Sequence, residues 1–264
     1  MTDLTPLARI TSLRTLKLSG TAVKDLRPLV GLEDLEALDL SAAEVVDLAP
    51  LARMASLRTL NLTTVDMVNL TPLARIVSLQ ELFLGDSQVT DLRPLAGMTN
   101  LRTLDLSLNG IADLSPLAGL ANLETLDLST NRITDLRPLA GLTNLRALNL
   151  SGTGVTDLSP LAKLTNLETL RLSATDVIDI TPLAELSSLQ ELMLAETDLV
   201  DLHPLAGLTG LKLLDLTGTQ ITNLAPLAEL TGLQRLILAD TDMARLKKSV
   251  DLLKRANPDL YVAC

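Results

Sequence analysis

Residues 135–156 read DLRPLAGLTNLRALNLSGTGVT, and the next 22 residues, 157–178, read DLSPLAKLTNLETLRLSATDVI. The two stretches share their opening aspartate, their proline and their leucines, while other letters drift. Extending the comparison both ways puts Asp3, Asp25, Asp47, Asn69, Asp91, Asp113, Asp135, Asp157, Asp179, Asp201, Asn223 and Arg245 in one column, each step being 22 residues. Eleven units therefore tile residues 3–244 without insertion or deletion, and a divergent tail, RLKKSVDLLKRANPDLYVAC, occupies 245–264. A fixed period of this length is the mark of a solenoid, in which each unit buries its apolar face against its neighbours. The expectation is a single domain, 1–264, of eleven repeats closed by a C-terminal cap over 245–264.

The unit D-L-x-P-L-A-x-L-x-x-L-x-x-L-x-L-S-x-T-x-V-x contains two local structures. In x-Leu-x-Leu the leucines alternate to one side, as a short strand requires, and stacking the units lines such strands into a parallel sheet. On the return side the opening Asp is placed to accept from the amide two residues on, because the following residue is Pro and has no N–H. Pro recurs there in all eleven units, from Pro6 to Pro226. That column rules out a central strand and predicts a one-turn 3₁₀ or α segment.

The stretch L-x-x-L-x-L-x-x-T-x-V, carried in the opening unit by Leu145, Leu148, Leu150, Thr153 and Val155, resembles the leucine-rich repeat signature over essentially the whole chain. The 22-residue length and the DLxPLAxL half are similar to the short repeats of bacterial internalins and of a eukaryotic serine/threonine phosphatase regulatory subunit. The resemblance implies an α/β right-handed leucine-rich-repeat horseshoe, its parallel sheet concave and its short 3₁₀/α turns convex. It also implies a protein-binding scaffold. One column departs from the family. Only Asn109 and Asn131 stand where these repeats usually carry Asn, and seven units have Thr or Ser. A hydroxyl makes part of an amide's bonding and not all of it. Ala43 and Val65 make none, so looser turns or ordered water are expected in the second and third units.

Composition narrows the function. Apolar residues make up 47% of the chain but aromatics only 1%, so the core is built from Leu, Val, Ile and Ala. The net charge of −10, with no basic run in the repeats, gives a nucleic acid backbone or an anionic membrane little to attract. Nine of the 32 acidic residues are the opening Asp caps, so the charge is partly a by-product of the architecture. No apolar run approaches the ~18 residues of a membrane span, and the opening MTDLTPLARI does not resemble a leader. Secreted internalins carry a leader and a helical cap there. The expectation is a cytoplasmic protein, a fragment, or one that self-associates through its uncapped first unit.

Chemistry is scarce. The one imidazole, His203, and the one thiol, Cys264, lie several units apart, and no Ser-His-Asp, Cys-His or zinc-ligand grouping is available. Glycines fall singly in turns, without a phosphate-binding loop. Asp105 and Asp127, on adjacent strands, are near enough to share a proton or a Ca²⁺, but Arg102 and flanking threonines favour plain solvated carboxylates. No enzyme activity, metal or cofactor is expected.

Recognition should then lie in solvent-facing columns that vary. Two flank the inward leucine of each strand. One runs from Thr15 to Arg235, the other from Lys17 to Ile237. Phe83, Met193, Leu213 and Ile237 are apolar entries in these otherwise small or charged columns. The last three are expected to form one apolar patch rimmed by Glu191, Asp215, Arg235 and Asp240, unless the C-terminal tail folds over it. Phe83, beside Glu81, forms a second anchor. An apolar centre with a polar rim is the composition of a protein-binding hot spot. The function expected is non-catalytic binding of a partner protein on the concave face. Control of a bound enzyme, and service as the targeting arm of a multidomain protein, are alternatives.

Overall fold

The computed structural model describes residues 2–66 and 69–264. It divides into two compact units, 1–131 and 132–264. In the first, β1 (Thr15–Lys17), β2 (Ala37–Asp39), β3 (Thr59–Asn61), β4 (Glu81–Phe83), β5 (Thr103–Asp105) and β6 (Thr125–Asp127) form parallel pairs. Register places every central leucine beside the next, Leu16 by Leu38 and Leu38 by Leu60. The second unit repeats this with β7 (Ala147–Asn149), β8 (Thr169–Arg171), β9 (Glu191–Met193), β10 (Leu213–Asp215) and β11 (Arg235–Ile237). It closes with helix α1 (Met243–Ala256) and a last strand, β12 (Tyr261–Ala263), paired to β11.

Each strand is only three residues long because its neighbours in sequence must turn. The return segments are 3₁₀ turns such as Arg27–Leu29 and Arg137–Leu139, each with its proline near the start. The expected cap is present in all eleven repeats. Asp or Asn Oδ1 accepts from the amide two residues on, from Asp3 to the Thr5 N–H at 2.8 Å through Asn223 to the Ala225 N–H at 2.9 Å. The leucines, isoleucines and valines that alternate inward form the core, and Leu104, Leu106, Ile111, Leu117 and Leu123 are fully buried. Burying one such side chain contributes roughly 2 kcal/mol, which is how a core with almost no aromatics holds.

Two columns of side chains reach the main chain of the preceding repeat. Asn109 Nδ2 donates to the carbonyls of Leu84, Leu106 and Ser107 at 2.8–3.0 Å, and its Oδ1 accepts from the Ser87 and Val89 amides. Asn131 does the same for Leu106, Leu128, Ser129 and the Ile111 amide. Threonine substitutes only locally: Thr153, Thr175, Thr197 and Thr219 each donate to the carbonyl three residues back. Ala43 and Val65, which lack a side-chain partner for the turn, keep its backbone closure. Their own amides close the turn to Leu40 and Leu62 at 2.9 and 3.1 Å, and Ser87 Oγ takes the Leu62 carbonyl as well. A second asparagine column, each Asn standing just before a leucine, lies ahead of the strand. Asn100, Asn122 and Asn166 donate to carbonyls 23 residues back at 2.8–2.9 Å.

The ends differ. Leu7, Leu13 and Leu16 of the first repeat are half-buried, whereas Leu29, Leu35 and Leu38 one repeat later are fully buried. At the other end Leu246, Val250 and Leu253 of α1 turn inward, as their spacing predicts, and the helix packs by the 3₁₀ turn Ala225–Leu227. Asp242 caps it, accepting from the Arg245 amide. Asn257 Nδ2 then donates to the Leu233 carbonyl at 2.6 Å, tying the cap to the last full repeat.

Candidate functional site

The site begins with the second solvent-facing column of the strands. Six of its entries are Asp or Asn, and all six accept from the backbone amide two residues on. Asp39 Oδ1 lies 3.0 Å from the Ser41 amide and 2.7 Å from its hydroxyl. Asn61, Asp105, Asp127, Asn149 and Asp215 make the same bond to Thr63, Ser107, Ser129, Ser151 and Thr217 at 2.9–3.1 Å. These residues close the turn by which the chain leaves the strand, the usual task of an Asx turn. Asp105 and Asp127 are therefore architectural. Arg102 pairs with Glu124, one column away. Among the described residues no three His, Cys, Asp or Glu side chains gather as a metal site.

Five entries cannot make that bond: Lys17, Phe83, Arg171, Met193 and Ile237. None carries a side-chain acceptor, so each gives up a hydrogen bond worth roughly 0.5–1.5 kcal/mol that its column can supply. Three of the five are sequence-predicted anchors. Letters alone do not show that the Asp and Asn entries close turns, because a capping Asp and a solvated Asp read alike.

Register rearranges the predicted patch. Met193 and Ile237 both stand beside Asp215, one on either side, so the capping carboxylate separates them. Leu213 occupies the other column, between Glu191 and Arg235. Apolar and charged entries thus alternate along both columns, Met193, Asp215, Ile237 in one and Glu191, Leu213, Arg235 in the other. Asp240 leaves the strand face altogether, lying in the turn after β11 at φ 55°. The tail does not fold over the face. It extends it, because β12 brings Tyr261 beside Arg235 and Ala263 beside Ile237. Tyr261 is 61% exposed, and the Arg235 guanidinium lies 5.8 Å from its ring centroid. Sequence reading missed this residue, since the tail lies outside the 22-residue phase.

In the first unit Phe83 stands beside Asn61 and Asp105, and Glu81 accepts from the Thr59 hydroxyl at 3.1 Å. Next to Phe83 a hollow of about 200 Å³ opens over the outer ends of β1–β3. Thr15, Lys17, Ala37, Thr59, Asn61 and Phe83 are among the residues that line it. Small residues make it, and small residues gave no signal in the sequence.

The turn side carries charge of another kind. Arg27, Arg93 and Arg137 each grip the capping Asp two residues earlier, with one guanidinium nitrogen 2.7 Å from Oδ2. The arginine hydrogen bonds, with the backbone amide, hold Asp25, Asp91 and Asp135 down to about 2. His203 Nδ1 lies 2.5 Å from Asp201, whose carboxyl is lowered by the His203 amide and then by the ring. The imidazole is thus engaged in the cap of its own turn.

This geometry has close parallels among known structures. A family model described as Leucine Rich repeats (2 copies) matches residues 77–119, 99–141 and 143–185. The internalin InlF of Listeria monocytogenes superposes with a TM-score of 0.92 at 29% identity, over all of this chain and 77% of that one. Internalin C2 of the same organism is 39% identical, with a TM-score of 0.68, over 74% of this chain and 84% of that one. The functional domain of InlJ, also from Listeria monocytogenes, shares the fold at 23% identity and a TM-score of 0.76, over 99% of this chain and 60% of that one. No curated protein matches the chain. With the repeat phase, the capped 3₁₀ turns and the internalin C2 likeness taken together, the chain belongs to the leucine-rich repeat proteins of internalin type.

Proposed function

We propose that this protein is a non-catalytic interaction module that binds a partner protein on its strand face, through Phe83 with Glu81 in the first unit and through Met193, Leu213 and Ile237 with Glu191 and Arg235 in the second. Leucine-rich repeats generally serve as protein–protein interaction modules, and the internalin likeness supports that role here. The observation that carries the site is the forfeited turn bond. Where six repeats use the outer column to cap a turn, Phe83, Met193 and Ile237 spend the position on apolar surface instead. A residue that weakens the scaffold and leaves apolar area facing solvent has a role outside the fold. Asp215 is the one predicted rim residue whose charge belongs to the scaffold, through Thr217.

The test uses the whole chain as immobilised bait, with bound proteins quantified by mass spectrometry. A Met193→Arg, Ile237→Arg variant is expected to lose the captured partner while its melting temperature stays within a few degrees. Capture that survives both substitutions overturns the site.

A further inference from the structure

In the hollow beside Phe83, surface shape rather than a single side chain offers recognition. In the outer column the side chains run long, short, short, long across four strands: Lys17, Asp39, Asn61, Phe83. In the inner column Thr15, Ala37 and Thr59 line the hollow and keep its floor low. Three strand spacings put the Lys17 and Phe83 walls about 14 Å apart. The hollow between holds about 200 Å³. A cavity of ~150 Å³ is enough to take a benzene ring.

The two walls differ chemically. Phe83 presents an aromatic ring, and ring pairs gain about 1 kcal/mol beyond their burial. Lys17 is exposed and forms no ion pair among the described residues, although Asp39 is its register partner. Asp39 Oδ1 accepts from the Ser41 amide and hydroxyl, which turns that carboxylate toward its own turn. An unpaired ammonium at one wall and a ring at the other specify a two-part ligand.

We propose that this hollow receives one aromatic side chain of the partner protein, laid against Phe83, while an acidic residue of the same partner segment pairs with Lys17. The proposal rests on the reading of the strand face as a protein-binding surface, and names the chemistry of what binds there. About 10 Å between ring and carboxylate is two to four residues of extended chain. The partner segment is therefore an aromatic residue followed or preceded, at that interval, by Asp or Glu.

The test probe is a displayed library of random heptapeptides, selected on the intact chain. The expected result is a family of peptides with an aromatic residue two to four positions from Asp or Glu. Ala37→Leu fills the floor from the solvent side and is expected to reduce binding of that family at least tenfold. Lys17→Glu leaves the hollow open and is expected to exchange the acidic preference for Lys or Arg. Ala147→Leu, the same column in the second unit, is expected to change nothing. Melting curves of all three check that the fold is kept. A selection that yields no such family, or one whose binding survives Ala37→Leu, overturns the proposal. If natural-partner capture is lost with Met193→Arg, Ile237→Arg but survives Ala37→Leu, the hollow fails and the binding face stands. If it survives both, both readings fall.

Discussion

The side-chain amide of Asn109 donates at 2.8 Å to the carbonyl of Leu84, a residue 25 positions upstream and one full repeat away. Through the same nitrogen it also reaches Leu106 and Ser107, and its oxygen accepts the Ser87 and Val89 amides. A single side chain thus serves five backbone groups in two repeats. Replacing it leaves half-buried polar groups without partners, which costs more than the bonds themselves contribute.

Asn109→Ala is accordingly expected to destabilise the chain by about 3 kcal/mol, with Asn109→Thr recovering about 1 kcal/mol through the local bond that the threonine repeats make. Urea denaturation of the three proteins checks both figures. Equal midpoints for the Ala and Thr variants would show that the local bond does not matter.

The outer strand column predicts a trade between stability and binding. Arg171→Asn supplies the Ser173 amide with the acceptor that Asn149 gives Ser151, and is expected to stabilise by about 1 kcal/mol. Met193→Asn gains the same kind of bond to Ala195 and is expected to hold or raise the melting temperature while partner capture is lost. Asp215→Met, the reverse change, is expected to cost about 1 kcal/mol by removing the acceptor from Thr217. A lower melting temperature for Arg171→Asn would contradict the assignment of this column to turn closure.

The capping aspartates set the response to acid. Asp25, Asp91 and Asp135 are held at about 2, below the ordinary carboxylate value near 4, by Arg27, Arg93 and Arg137. A carboxyl whose folded pKa is depressed contributes stability that is fully present above the unfolded pKa and is lost as pH falls through the folded one. The loss is therefore expected between about pH 4 and pH 2. Because the pairs are fully exposed, each contribution is screened. Replacing all three arginines by Ala raises these carboxyls toward their ordinary range and is expected to move the acid-unfolding midpoint upward. Circular dichroism across pH 1.5–5 reads the shift, and an unmoved midpoint would show that the arginines are bystanders.

Much of the scaffold was legible in the letters because a solenoid turns distant contacts into a fixed sequence interval. The Asp3 and Asp25 caps, the Pro turn and the inward leucines each depend on residues within one repeat or on its identical neighbour. The tail cap was legible too, as a divergent stretch after the last full repeat, and its helix buries Leu246, Val250 and Leu253. The site was legible only in part. Phe83, Met193 and Ile237 stood out as apolar letters, but Asp215 read as a binding charge when its oxygen closes a turn. The asparagine column ahead of the strands passed unnoticed because asparagine in a loop is an ordinary letter until its acceptor, 23 residues away, is seen.

The sequence by itself determined the period, the strand and turn of each repeat, the capping chemistry and an aliphatic core, since all of these follow from interactions that recur every 22 residues. Only the tertiary structure decided what the outer surface offers. Strand register set Asp215 between Met193 and Ile237, brought Tyr261 beside Arg235, and left Thr15, Ala37 and Thr59 as a low floor beside Phe83. Those relations depend on how long each side chain is beside its lateral neighbour and on which polar atoms the turns have already taken, and neither quantity belongs to any one repeat.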